Sequence, residues 1–344
     1  MWKVTNDINN SKLSKFENEV IKPFFYEILN CKGLNYTIPF LDYLKDDTLL
    51  KDINNKNILN FISKRKKDKI SFAAHVDVLI NNNTLENLRH YYALYIYQNR
   101  QINQKYTSIY FEDIPIQFKK IFNEFFYGKI FDSVELWTIL GEEPLKRKKF
   151  HENFKMENNI NVCPYCDIDT TTNKGNNQVE HFWPKSKYPF LAMNAYNLIS
   201  SCVSCNMPNE GKGTTNYQII TMPYVSQVGD KISFVLNPEN KCVTVSTAQL
   251  EIDNYLKLLN LYNRYESGDV YRALMNRGNE LYSTMLDMER YSKEEIKEKD
   301  IKEYVVNKKK YDKKMVPLYF ASIDIFSDYD AYKKFCKIKK IITT

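Results

Sequence analysis

The chain has 344 residues, a mass of 40.9 kDa and a hydrophobic content of 43%, with 26 Tyr, 20 Phe and 3 Trp, so it can bury a sizeable core and is not a disordered polymer. With only 9 Gly and 11 Pro, a turn-rich all-β fold is excluded, and a length beyond one simple core points to two or three domains. The net charge of +7 and pI of about 8.7 are mild, but the positive charge is clustered, at Lys64 to Lys67, Lys146 to Lys149, Lys308 to Lys314 and Lys333 to Lys340. Such runs are either solvated helix faces or attractors of phosphate backbones. The N-terminal residues hold no apolar core of a secretion signal, and no stretch reaches the roughly 18–20 apolar residues a bilayer span needs, so a soluble, cytoplasmic protein is expected.

Residues 1–157 read as a helical domain. Leu13 to Leu29 carries apolar residues at helical spacing (Phe16, Val20, Ile21, Phe24, Phe25, Ile28). Thr84 is placed to cap a helix through Leu85, Leu88, Tyr92, Leu94, Tyr95 and Tyr97. A helix from Pro115 to Tyr127 should end at Gly128, and a short one from Asp132 to Leu140 at Gly141. The aromatic stripes are read as core.

The pattern breaks over residues 158–247. Here Ile232 to Leu236 and Cys242 to Val245 read as strands joined by an Asn-Pro-Glu-Asn turn. Residues 248–344 return to helical spacing, at Tyr255 to Tyr262 and Val270 to Met288, and Ser292 with Glu295 makes a capping box. The expected class is mainly α, with helical N- and C-terminal parts around a small irregular insert.

Of seven cysteines, Cys31, Cys242 and Cys336 are isolated, while Cys163/Cys166 and Cys202/Cys205 form two C-x-x-C pairs. In a reducing compartment such pairs point to metal, and four thiolates suit a closed, structural, tetrahedral zinc site. No βαβ context supports a redox C-x-x-C. Among the four histidines, at 75, 90, 151 and 181, only His181 lies in a polar segment inside this region; His151, before the first pair, is read as a surface or packing residue. Glu180 and His181, with the carboxamides Asn197 and Asn206 downstream, offer a base and hard oxygen ligands for a divalent ion, the kit for phosphodiester cleavage.

The order C-x-x-C, Glu180-His181, Asn197-Leu198, then Cys202-x-x-Cys205-Asn206 and a downstream Lys212 resembles the HNH family, the ββα-metal or His-Me finger nucleases, in its four-cysteine zinc branch. The Glu-His-Phe-x-Pro-Lys wording around Lys185 is similar to HNH nucleases of prokaryotic anti-phage systems of the Septu kind. His181 precedes Asn197 by 16 residues and Asn197 precedes Asn206 by 9, spacings that suit two strands, a loop and one helix. The resemblance implies His181 as general base, Glu180 and Asn206 as ligands of Mg²⁺ or another catalytic divalent ion, and Asn197 as the residue that fixes the loop. It implies Lys212 and Lys185 as nucleic-acid contacts, and Cys163, Cys166, Cys202 and Cys205 as ligands of structural Zn²⁺. Glu180 departs from the Asp or His of many relatives, and Glu210 stands where many have a second His. The resemblance covers about 55 residues.

The leading expectation is therefore an HNH endonuclease acting on nucleic acid, DNA before RNA, as an effector of prokaryotic antiviral defence. The competing expectation is a non-catalytic zinc-finger module that binds nucleic acid or protein. Gly211-Lys212-Gly213-Thr214 is not a Walker loop, so control by nucleotide would come in trans, from an ATPase or another defence subunit.

Overall fold

A computed structural model describes residues 1–35, 38–46, 53–171, 175, 177–207, 211–292, 297–326 and 330. The protein is mainly α, with three two-stranded sheets among the described residues. Two compact units are interleaved in sequence: one holds residues 5–158 and 179–200, the other 1–4, 159–178 and 201–344. None of the described helices is long and apolar enough to cross a membrane.

In the first of these units, α1 (Asp7–Phe16) runs through a wide turn at Glu17–Ile21 into α2 (Lys22–Gly33), and buries Leu13, Phe16, Val20, Ile21, Phe24, Phe25 and Ile28, the residues the spacing marked. The short α3 (Phe40–Tyr43) and α4 (Ile53–Ser63) follow. Strands β1 (Lys66–Lys67) and β2 (Ile70–Ser71) form a tight hairpin, with Lys66 opposite Ser71. Ser71 then caps α5 (Phe72–Asn82) at Ala74 N, 3.1 Å away. Thr84 does cap α6 (Leu85–Asn103), accepting from Asn87 N at 3.1 Å.

The helix expected to stop at Gly128 does not. α7 (Ile116–Lys120) passes into a wide, π-type stretch at Ile121–Ile130, two residues beyond the glycine. A Cβ on Gly128 would stand 3.2 Å from the Asn123 carbonyl, so the glycine serves close packing of the widened turns, not termination. α8 (Val134–Ile139) is capped by Ser133 and ends at Gly141 with φ +68°. α9 (Arg147–Asn158) closes the helical set.

Onto these helices the same unit adds residues 179–200: most of β3 (Gln178–His181) and β4 (Leu198–Ser201), which pair, and the loop between them. Phe190 in that loop enters the aromatic core, its centroid 5.0 Å from Phe122, 5.3 Å from Phe118 and 5.9 Å from both Phe25 and Tyr95. These rings are core, as the stripes indicated, and they anchor the irregular segment between β3 and β4.

In the other unit, β4 leads to the four-residue α10 (Val203–Asn206). The order strand, loop, strand, helix expected from the motif spacing is thus present. β5 (Ser233–Asn237) pairs antiparallel with β6 (Cys242–Ser246), the two strands expected either side of the Asn-Pro-Glu-Asn turn. The helices α11 (Leu250–Leu258), α12 (Leu261–Tyr265), α13 (Gly268–Ser292), α14 (Glu298–Asp312) and α15 (Tyr319–Phe326) follow. Glu295 of the expected capping box, Glu210 and the basic run Lys333 to Lys340 lie outside the described residues. The next described helix is entered at Lys297, whose N–H donates to Asp300 at 2.9 Å.

His151 on α9 is buried, with Nδ1 2.7 Å from Ser200 Oγ. Burial, followed by the charges of Lys155 and Arg147, lowers its pKa to about 4. The unfolded chain, with an ordinary histidine pKa near 6.5, binds the extra proton first. Stability is therefore full above about pH 6.5 and falls as the pH drops toward 4, by up to about 3 kcal/mol. Urea denaturation at pH 7 and pH 4.5 should show this loss in the wild type and a smaller one in His151→Gln.

Candidate metal centre and the Glu180–His181 segment

The four cysteines of the two pairs are buried, and their sulfurs all lie within 4.8 Å of one another. Cys163 Sγ is 3.9 Å from Cys205 Sγ, and Cys166 Sγ is 3.9 Å from Cys202 Sγ. A tetrahedral zinc with Zn–S bonds of about 2.3 Å would separate its sulfurs by about 3.8 Å. The donor set and its spacing therefore fit a four-thiolate ion such as zinc, and the four cysteines are positioned to hold one. Backbone N–H groups support the sulfurs, Cys202 N at 3.3 Å from Cys163 Sγ and Ile168 N at 3.4 Å from Cys166 Sγ. Although burial alone would raise it, the Cys166 thiol is held below the usual range by the other three cysteines and by Arg264.

Arg264 on α12 carries no mark in the sequence. Its Nη1 is 2.9 Å from Cys205 Sγ, its Nη2 is 3.6 Å from Cys166 Sγ, and Nη2 also meets Asp169 at 2.7 Å. Four thiolates around a divalent ion leave a net charge of −2, and this guanidinium offsets half of it. The first knuckle is further tied by Tyr255 and Tyr265, whose hydroxyls donate to the carbonyls of Tyr165 and Cys166, each at 2.9 Å. Beside it the buried Asp167 accepts from Trp2 Nε1 at 2.8 Å and Phe320 N at 3.1 Å; burial pushes its carboxyl up to about 7. At the second knuckle Lys212 N donates to Cys205 O at 2.9 Å, and a Cβ on Gly211 would collide with that same carbonyl.

The Glu180–His181 segment belongs to the other unit. β3 ends at His181 because Phe182 N turns to Asn197 O, 2.8 Å away, and Pro184 cannot extend a ladder. Glu180 and His181 are both buried. His181 Nε2 lies 3.0 Å from the Ala192 carbonyl. A carbonyl only accepts, so in the neutral ring Nε2 bears the proton and Nδ1 the lone pair. The ring also meets the edge of Tyr127 at 4.4 Å.

Asn197 is fully buried and laces the intervening loop. Its Oδ1 accepts from Trp183 N at 2.7 Å, and its Nδ2 donates to Trp183 O at 3.0 Å and Leu191 O at 3.1 Å. Asn99 adds a bond to Phe190 O at 3.1 Å.

Tyr127 was not singled out in sequence, yet three predicted elements meet at its ring: His181, the Arg147 guanidinium at 4.9 Å and the Lys185 ammonium at 4.3 Å. Its hydroxyl donates to Val179 O at 3.0 Å, and Arg147 Nη2 donates to its carbonyl at 3.0 Å. The structure thus gathers Glu180, His181, Asn197 and Lys185 in one unit and the four cysteines, Asn206 and Lys212 in the other. Asn206 donates to Gln178 Oε1, and Lys212 is only 1% exposed, its Nζ 3.4 Å from Gly213 O.

The four buried cysteines define a candidate four-thiolate metal centre. Over 51 residues, 15% of this chain and 20% of the other, the chain is 41% identical to the Septu protein PtuB of Bacillus thuringiensis, and so it spans only a fifth of that relative's length. No family model and no solved structure matches the chain.

Purified protein should carry one equivalent of zinc by elemental analysis, and Cys163→Ser should lose it. Arg264→Ala should keep the ion but release it to a chelator roughly 10- to 100-fold more readily, the scale typical of lost partners around metal ligands. Asn197→Ala, which leaves buried groups of Trp183 and Leu191 unpaired, should cost about 3 kcal/mol in urea denaturation.

Proposed function

We propose that the chain is a metal-dependent HNH-type endonuclease that hydrolyses phosphodiester bonds of nucleic acid, DNA in preference to RNA, in prokaryotic antiviral defence. The observation that carries the reading is His181: a buried histidine beside a buried carboxylate, its Nε2 tied to the Ala192 carbonyl and its loop laced by Asn197. The partial similarity to the Septu protein PtuB supports the defence assignment.

In this reading His181 Nδ1 takes a proton from water. The resulting hydroxide attacks phosphorus, the P–O3′ bond breaks, and the 3′-oxygen leaves and is protonated from solvent. Fixing the tautomer through Ala192 makes Nδ1 the basic nitrogen, and Asn197 acts as a positioning residue through the loop. Glu180 and Asn206 offer hard oxygens that suit Mg²⁺ or a similar ion, and when bound that ion would neutralise charge on the pentacovalent phosphorus and the leaving oxygen. The Asn206 assignment rests on the sequence resemblance. Lys185, on the Tyr127 ring, is the phosphate contact in this reading; Lys212, buried, has that role by resemblance alone. An ATPase or other defence subunit acting in trans would supply control.

Plasmid nicking with Mg²⁺ tests the reading, alongside an RNA of matching sequence. Wild type should nick, and His181→Ala should fall by at least about 100-fold, the scale of a lost general base. Equal cleavage by both would overturn the His181 assignment. Absence of wild-type cleavage on either nucleic acid, with any divalent ion and with a co-purified partner, would favour the non-catalytic binding module.

A further inference from the structure

The hairpin β1–β2 turns through Asp68 and Lys69 with φ of +51° and +69°, left-handed positions that Asn-Gly or Asp-Gly normally fills. Non-glycine residues there cost on the order of 1 kcal/mol each. The strained turn folds Lys66 and Lys67 against Ser71 and Ile70 and adds Lys69 at its tip. Behind it lies an open basin of about 800 Å³, lined by Lys64, Arg65, Lys66, Lys129 and Ser133 among others.

The charges here are unequal in availability. Arg65 pairs with Glu135 and stacks on Phe61 at 4.2 Å, and Lys67 pairs with Glu124 at 3.2 Å. Lys64, Lys66 and Lys129 are exposed and make no ion pair among the described residues. A single carboxylate, Glu135, faces three unneutralised ammoniums across the basin. Such an arrangement raises a local positive potential that attracts a polyanion.

In the same unit Lys185 sits on the Tyr127 ring that touches His181. The Lys185 ammonium is half-buried and has no hydrogen bond or ion pair among the described residues. Burial and then the Arg147 charge lower its pKa, while Glu180 raises it.

We propose that the basin of Lys64, Lys66 and Lys129 binds the phosphate backbone of the nucleic acid away from the cut. The identity of the ligand rests on the nuclease reading above. A polyphosphate strand is the occupant the charge favours, because four of the eight lining residues are cations against one carboxylate, and the basin is open rather than enclosed.

The test separates binding from cleavage. Affinity of full-length His181→Ala protein for a fluorescein-labelled single-stranded DNA 20-mer is read by anisotropy, without added Mg²⁺, over a salt series. Adding Lys64→Gln, Lys66→Gln and Lys129→Gln should weaken binding at least tenfold at about 0.1 M salt. The slope of log affinity against log salt should fall by about two, at roughly 0.7 per lost single-strand phosphate contact. The corresponding Lys→Arg triple should bind as the parent does, which excludes misfolding as the cause. Unchanged affinity and slope in the Gln triple, with wild type still nicking plasmid, would overturn this inference and leave the nuclease reading standing. Loss of affinity in the Gln triple, with a wild type that never nicks, would support the basin as a nucleic-acid site and remove the nuclease. Anionic phosphatidylserine vesicles displacing the oligonucleotide at matched charge would also overturn it, making the basin a membrane-surface site.

Discussion

Four sulfurs within 4.8 Å of one another set the constraint on which this molecule depends. The two cysteine pairs are far apart in sequence, and without an ion four buried thiols at this spacing have little reason to stay together. With an ion they close a loop of about 35 residues, Cys166 to Cys202, whose ends would otherwise be free to separate. The residues inside that loop include Glu180, His181 and Asn197. Metal and candidate chemistry are thus linked through chain connectivity, before any contact between side chains is considered. Arg264 makes the closure tolerable electrostatically, since the cluster is buried and its excess negative charge has to be answered nearby.

Once closed, the loop still has to be ordered, and it contains little regular structure. Two kinds of force do this. Phe190 supplies apolar anchorage among Phe25, Tyr95, Phe118 and Phe122, which fixes the loop's depth but tolerates rotation. Asn197 supplies direction, because its amide has fixed donor and acceptor ends and meets both backbone groups of Trp183. Directional bonds in a dry interior rigidify what hydrophobic contact only gathers. The orientation of the imidazole follows from both.

Much of this was legible in sequence where the signal is local. Matched C-x-x-C pairs announce a metal site because the two sulfurs of each knuckle must come from neighbouring residues. Thr84 announced α6, and two short runs flanking an Asn-Pro-Glu-Asn turn announced β5 and β6, for the same reason. What failed to show has partners distant along the chain. Arg264 reaches cysteines 59 and 98 residues away, and Tyr127 meets His181 across 54 residues, so neither leaves a spacing pattern. Gly128 misled because glycine ends helices more often than it relieves a crowded one, and only the widened turns reveal which applies. Lys212 could be recognised as a lysine after the last knuckle, but burial is a property of the folded chain and not of the run.

The interleaving of the two units bears on how the protein is made. Residues 5–158 leave the ribosome as a nearly complete helical set, but the strands and loop that finish their unit arrive only with residues 179–200, after the first cysteine pair has emerged. Phe25, Tyr95, Phe118 and Phe122 therefore wait for Phe190 with their shared face unfilled, and Met1–Val4 wait longer still for the unit they join. Since domains generally fold as their residues appear, synthesis of this chain passes through a stage with an exposed aromatic surface and half a metal site. The same order means that no single cut of the gene separates the units. A fragment ending at residue 158 lacks the histidine, and one beginning at 159 lacks the helices that hold it.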